Sequence, residues 1–356
     1  MLSLRDILRE LVSIPGACGF EHAVARYVYG RLKPQVDEAW VDGLGNVIVR
    51  KTGALPGPTL MLCAHADEVG FIVKKIEPNG LIRFEKIGGH DDRVLLNERV
   101  VVTTQDGRRY PGVIGCISCH MLRFDDPKLV RGHSEMYIDV GAADAQEVCA
   151  MGIDVADFIT WATPYEEIGA YRAVGHAFDD RAGCAVLLKC MEELDASRLH
   201  GTVYGVFSVQ EELGLRGARV ASQQIAADVA LAIDTTAVSD TFEQMMDDTL
   251  ALGAGVGIKA MDHSLLASVK VRRQLVRLAK ENGIPYQVEV FCGIGTDAGE
   301  MHKEKAGVPT GTLSIPSRYA HCPTEMIDLR DLQATYDLLR CFVDAMRDAG
   351  EYAFLG

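Results

Sequence analysis

Five segments of this chain set carboxylates and imidazoles beside apolar runs. Ala64-His65-Ala66-Asp67 closes the run TLMLCA, and Asp179-Asp180 lies in GHAFDDRAG. Glu211-Glu212 follows TVYGVFSVQ, Asp234 closes DVALAID, and His321 sits in RYAHCPTE after VPTGTLSIP. In an open α/β sheet, ligands bind in the crevice beyond the carboxyl ends of the strands, where these segments would meet. Carboxylates gathered there without a cation would repel one another, so bound metal is the simplest neutraliser. Two imidazoles with several carboxylates suit zinc, cobalt or manganese. Two ions account for the donors better than one, because a shared carboxylate bridges ions about 3.5–4 Å apart and water between them ionises near neutral pH. A protein base must still take and return a proton. Glu211 and Glu212 could supply one ligand and one base, since neighbouring side chains at a strand end diverge. Taken singly, Asp234 reads better as a turn cap and His65 as a core histidine. Their company of other donor segments reverses both readings.

The elements that must position these groups are legible as patterns. Residues 1–68 open with two amphipathic helices, the second burying Ala23, Val24, Tyr27, Val28 and Leu32, and continue with the strands GNVIVRK and TLMLCA. From 69 to 163 the pattern changes to short strands, VGFIVKKIE, GLIRFEKIG, NERVVVTTQ and YPGVIGC, separated by turn signals such as Pro78-Asn79-Gly80 and Asp106-Gly107. This stretch reads as a small all-β barrel or sandwich inserted into a larger domain. From 164 to 356 strands and helices alternate, among them the helix AGCAVLLKCMEEL, a long helix stopping at Gly283, and the closing helix LRDLQATYDLLRCFVDAM. Alternation of this kind predicts a mostly parallel sheet flanked by helices, an α/β fold.

The formal charge of -14, from 50 acidic and 36 basic residues, disfavours nucleic acid and membrane surfaces as partners. The N-terminal segment reads as an amphipathic helix rather than a signal peptide, and no run of about 18 apolar residues occurs. The ten cysteines sit mostly in apolar runs, which suits buried thiols in a cytoplasmic protein. Cys116-Ile117-Ser118-Cys119-His120 matches the haem-attachment pattern, but nothing else suggests export or a haem domain, and it reads as coincidence. Cys63 and Cys322 read as packing residues, and His176 as a residue that could line the cleft.

Taken in order, AHADEVGFIV, GHAFDDRAG, QEELGLRGA, AIDTT, GTDAG and RYAHCPTEMID resemble the tetrahedral aminopeptidases. These are dodecameric di-metal peptidases, also called glutamyl or deblocking aminopeptidases or cellulase M. The resemblance spans essentially the whole chain. It implies a zinc-peptidase-like, phosphorylase/hydrolase-like catalytic domain (1–68 and 164–356) with a PDZ-like dimerisation domain inserted at 69–163. It implies that His65, Asp179 and Asp234 hold one metal and that Asp179, Glu212 and His321 hold the other, with Asp179 bridging. Glu211 would be the general base, and Asp67 would hydrogen-bond His65 from behind. Thr296 and Asp297 would adjoin the substrate pocket, Asp297 serving equally well as a cap. Ile294 departs from the family, which has small residues there.

The leading reading is therefore an aminopeptidase acting on peptides with two divalent ions per subunit. A di-metal deacylase acting on N-acyl compounds is the alternative. A glycosidase would need two carboxyls flanking a bond, which adjacent, diverging glutamates do not provide. A catalytically dead binding protein would have no need of the full donor set. The resemblance also implies a homo-oligomer, dimers built through exposed strand edges of the insertion and joined into a dodecamer.

Overall fold

A computed structural model of the chain describes residues 2–124, 126, 128–238, 240–242 and 249–355. Helices α1 (Leu4–Val12) and α2 (His22–Leu32) lead into strands β1 (Glu38–Val41), β2 (Val47–Thr52) and β3 (Leu55–His65). Strands β4 (Gly70–Ile76), β5 (Ile82–Ile87), β6 (Arg99–Thr103), β7 (Arg109–Ile114) and β8 (Ile138–Asp139) follow. Helix α3 (Ala145–Met151) precedes β9 (Phe158–Trp161). The chain continues through β10 (Glu166–Ile168), β11 (Arg172–Gly175), α4 (Phe178–Glu193), β12 (His200–Ser208), α5 (Arg216–Gln224) and β13 (Val229–Ala237). It ends through β14 (Val256–Met261), α6 (Val269–Asn282), β15 (Tyr286–Val290), α7 (Ala298–Met301), β16 (Thr310–Arg318), β17 (Glu325–Asp328) and α8 (Leu329–Ala345).

Among the described residues, eleven strands form one sheet in the order β1-β2-β12-β3-β13-β16-β17-β11-β10, with β14 on β16 and β15 on β14. The run TLMLCA is apolar throughout because β3 is covered on both faces. Leu60, Leu62 and Ala64 pack in the core cluster that includes α1, α4 and α8, whereas Met61 and Cys63 pack in a second cluster with Ala218 and Ala221 of α5. Strand β13 repeats the alternation, with Leu231 and Ile233 on the first face and Ala230 and Ala232 on the second.

The sheet corrects the expectation of mostly parallel pairing. Among the described residues, the strand pairs β12–β3, β3–β13, β13–β16 and β14–β15 alone are parallel. Pairs β1–β2, β2–β12, β14–β16, β16–β17, β17–β11 and β11–β10 are antiparallel. The parallel pair β14–β15 is joined by the crossover helix α6. Pairs β1–β2, β10–β11 and β16–β17 are joined by short loops, which permit only antiparallel neighbours, whereas the other antiparallel pairs bring together strands far apart in the chain.

Strands β4, β5, β8, β7, β6 and β9 close into a six-stranded barrel filled by Phe71, Phe84, Val100, Val102, Ile114 and Trp161, among others. Closure removes the free edges expected of this insertion. Its outer surface instead exposes Leu96, Val113, Ile117, Met121, Leu129 and Val130. Arg181, fully buried in α4, ties the N-terminal segment to the sheet by donating to the carbonyls of Leu11 (2.8 Å) and Ile14 (2.9 Å).

Candidate active site

The carboxyl ends of β3, β12, β13 and β16 lie side by side, with Ser208 opposite His65 and Asp234 opposite Ser314. His65 is the last residue of β3. Asp234 lies within β13, which runs on to Ala237 rather than stopping there. Asp179 occupies the first turn of α4, where it and Asp180 leave helical dihedrals and are joined by a cis peptide. Glu211 and Glu212 fall in the loop between β12 and α5, and His321 in the loop between β16 and β17. Of the eight non-glycine residues with positive φ among the described residues, Ala177, Gln210, Leu215, Tyr319 and His321 adjoin these groups. Such backbone is held only where surrounding structure over-determines it, and it concentrates at functional sites.

Among the described residues, two three-residue groups share Asp179. His65 Nε2 lies 3.1 Å from Asp179 Oδ1 and 3.7 Å from Asp234 Oδ1. His321 Nε2 lies 3.1 Å from Glu212 Oε1 and 3.4 Å from Asp179 Oδ2. Asp179 thus gives one oxygen to each group, and the candidate ligand atoms of each lie within 4.8 Å of one another. His321 Nδ1 is 3.0 Å from the carbonyl of Gly89, in the loop after β5, which favours the tautomer with Nε2 free for its group. The barrel therefore reaches the site through Gly89. Glu211 joins His65 and Glu212 in a third set of donor atoms within the same 4.8 Å limit.

Buried carboxylates also grip the backbone amides of these residues, a feature that the sequence analysis missed. Asp67 accepts from the amides of Glu211 (3.0 Å) and Glu212 (3.1 Å), one to each oxygen. Its contact with His65 Nδ1, at 3.5 Å, is too long for a hydrogen bond, because both carboxylate oxygens face the Glu211-Glu212 turn. Asp180 accepts from the amide of His65 (3.2 Å) and from that of Gly183 (2.9 Å). A Cβ at Gly183 would lie 2.4 Å from the Asp180 oxygens, so this approach requires glycine. Glu325 accepts from the amides of Asp179 and His321, both at 3.0 Å. The signal available for Glu325 was a charged residue beginning the short strand EMID directly after the His321 loop.

The electrostatics follow from burial. Desolvation raises Asp180 and Glu211 well above the usual carboxylate range, Asp234 to about 7 and Glu325 to about 8. Burial pushes Asp179 in the same direction, but its hydrogen bonds with His321 and His65 outweigh that and hold it low. Burial disfavours the imidazolium of His321, yet Glu212 and Asp179 overcome this and raise it to about 12. The acids thus outnumber the available positive charges, and protons fill the deficit. Imidazoles with oxygen donors, in two groups sharing one carboxylate, suit divalent metal.

A cleft of about 610 Å³ opens beside both groups. Thr296 and Asp297 lie beneath its wall and do not line it. Thr296 Oγ1 donates to Asp262 (3.1 Å), while Asp297 accepts from Ser208 and from the thiol of Cys63 (3.3 Å). Their neighbour Ile294 does line the cleft. His176 pairs with Glu68 at 3.2 Å and is likewise absent from the cleft lining. All ten cysteines are free thiols.

Comparison with known proteins supplies the class. The chain matches the M42 glutamyl aminopeptidase family over residues 45–338. It is 36% identical over 336 residues to a putative aminopeptidase of Acetivibrio thermocellus, covering 94% of this chain and 96% of that one. An aminopeptidase of the archaeon Desulfurococcus kamchatkensis superposes with a TM-score of 0.93 at 38% identity, covering 99% of each chain. The TET1 peptidase of Pyrococcus horikoshii, described as able to assemble into a tetrahedron or a large octahedral shell, superposes with a TM-score of 0.86 at 31% identity, covering 96% of this chain and 99% of that one. Fold, donor cluster and relatives together define a peptide-bond hydrolase. The chain belongs to the M42 glutamyl aminopeptidase family.

Proposed function

We propose that this enzyme removes the N-terminal residue from peptides by di-metal hydrolysis. The observation carrying the reading is the division of Asp179 between two histidine–carboxylate groups. His65, Asp179 and Asp234 would hold one ion, and Asp179, Glu212 and His321 the other. Zinc or cobalt, with manganese also suited to the donors, would supply Lewis acidity toward the scissile carbonyl, acidify bound water and anchor the free α-amine.

The chain's own residues do the rest. Glu211 lies beside both groups, and its burial raises its affinity for a proton. A base of that kind takes a proton from water and returns it to the leaving amine. Asp67 holds the Glu211-Glu212 backbone in place through both amides. Glu325 and Asp180 do the same for Asp179, His321 and His65.

Residues 1–68 and 164–356 form the catalytic unit in this reading, and residues 69–163 a PDZ-like pairing module. With the barrel closed, pairing would use its exposed apolar residues, such as Ile117, Met121, Leu129 and Val130. Copies of this chain would join as dimers and the dimers as a dodecamer, as the tetrahedral relative suggests. Such an enclosed assembly suits a cytoplasmic enzyme that trims peptides and spares folded proteins. Among the described residues no helix is long and apolar enough to cross a membrane.

The test compares a free-amine peptide with its N-acetylated counterpart, before and after chelation and after return of zinc or cobalt. The expected result is stepwise release of N-terminal residues from the free-amine peptide alone, abolished by chelation and restored by metal. Cleavage confined to the acetylated peptide would make the enzyme a deacylase. Full activity with no metal found by elemental analysis would exclude the di-metal reading.

A further inference from the structure

Resting on the aminopeptidase reading, we infer that the cleft selects peptides whose N-terminal residue carries an uncharged, mainly apolar side chain. The wall beyond the two donor groups comes from three places. Leu215 precedes α5, Ala237 ends β13, and Phe291 and Ile294 belong to the loop between β15 and α7. A side chain seated there meets hydrocarbon, and a cleft of about 610 Å³ has room for a large one together with the following backbone.

The charges close to this wall are turned inward and already partnered. Asp262 accepts from the amides of Ser264 and Leu265 (2.7 Å each) and from the hydroxyls of Ser264 (2.9 Å) and Thr296 (3.1 Å). Asp297 lies under the wall with Ser208 and Cys63. Lys259, fully buried, is paired with Glu289 at 2.5 Å, and Glu289 also accepts from the hydroxyl of Thr236 at 2.6 Å. The acids that do reach the cleft, Asp179, Glu211, Glu212 and Asp234, belong to the donor cluster. Among the described residues, the lining outside that cluster holds no lysine, arginine or carboxylate, and its one imidazole, His263, is exposed. A glutamate or lysine side chain would thus leave water for a wall that offers no counter-charge, a transfer that favours the apolar competitor.

Hydrolysis of the p-nitroanilides of leucine, methionine, phenylalanine, glutamate and lysine by the metal-loaded enzyme tests this. The leucine and methionine compounds are expected to exceed those of glutamate and lysine at least tenfold in kcat/KM. Glutamate or lysine matching or leading the series overturns the inference while leaving the aminopeptidase reading intact. Hydrolysis of none of the five, with metal bound, overturns that reading and the inference with it. Ile294→Asp supplies a second arm, expected to raise the lysine-to-leucine ratio at least tenfold with metal content unchanged. An unchanged ratio overturns the assignment of Ile294 to the side-chain wall.

Discussion

Replacing Glu325 by glutamine isolates the contribution of a residue that touches neither substrate nor metal in the proposed mechanism. Its two oxygens accept from the amides of His321 and Asp179, each at 3.0 Å. Glutamine keeps one acceptor and turns an NH2 group toward the other amide. One buried hydrogen bond is lost and a donor is left facing a donor, a cost of about 1–3 kcal/mol. Because the two amides belong to ligands of one group, that cost falls on its metal affinity, and at about 1.4 kcal/mol per tenfold it predicts weakening of roughly five- to 150-fold. The metal-free protein responds differently. Burial and the neighbouring Asp179 raise the Glu325 carboxyl to about 8, so near neutral pH the parent side chain is largely protonated and an amide is a close substitute. The melting temperature of metal-free Glu325→Gln should therefore stay close to the parent's, while that of the metal-loaded form falls. Calorimetric titration with zinc or cobalt and paired melting curves measure both quantities. Parental affinity for both ions, or a metal-free form destabilised as much as the loaded one, would refute the reasoning.

Three further outcomes are expected. Glu211→Gln should lose several orders of magnitude in kcat while binding two ions, because the amide keeps the shape but accepts no proton; loss of an ion together with activity would make Glu211 a ligand instead. His90 contacts the carbonyls of Gly70 (2.9 Å) and Ile87 (3.2 Å), and burial lowers its pKa to about 4. The folded protein then resists the proton that an unfolded histidine takes near 6.5, so the contribution of His90 is complete above that pH and is lost as pH falls toward 4. Melting curves of the metal-free protein between pH 7.5 and 4.5 should fall less steeply for His90→Gln than for the parent, and parallel curves would contradict this. Light scattering behind size exclusion, at moderate salt and with metal, should give a dimer or larger, most simply a dodecamer; a mass near 38.8 kDa would defeat the assembly proposal.

The parallel heart of the sheet and the donors at its edge were legible in local pattern. Strand β3 is uninterruptedly apolar because both its faces are covered, and a chemical residue at the end of such a run can only emerge at the crevice. His65, Asp234 and the pair Glu211-Glu212 were read that way, His321 from the loop after such a run, and Asp179 rather than Asp180 from the resemblance to the tetrahedral aminopeptidases; the fold brings the six together. What lay outside local pattern was pairing direction, closure and the second layer of contacts. Strands β10, β11 and β17 have three or four residues each, too few for periodicity to mark their partners or direction, so the antiparallel flanks emerged only when the chain packed. Barrel closure depends on β4 meeting β9 across more than eighty positions of sequence, which no local spacing encodes. Thr296 and Asp297 adjoin Ile294 in sequence, yet the turn into α7 sends Ile294 to the cleft and buries the other two. The carboxylates of Asp67, Asp180 and Glu325 are acidic residues like the ligands beside them, and a sequence does not say which amide a carboxylate will reach. Composition and periodicity decide what must be buried and which donors stand at its edge. Which buried donor meets which acceptor is decided by long-range packing, because a hydrogen bond is set by distances of tenths of an ångström between segments far apart in the chain.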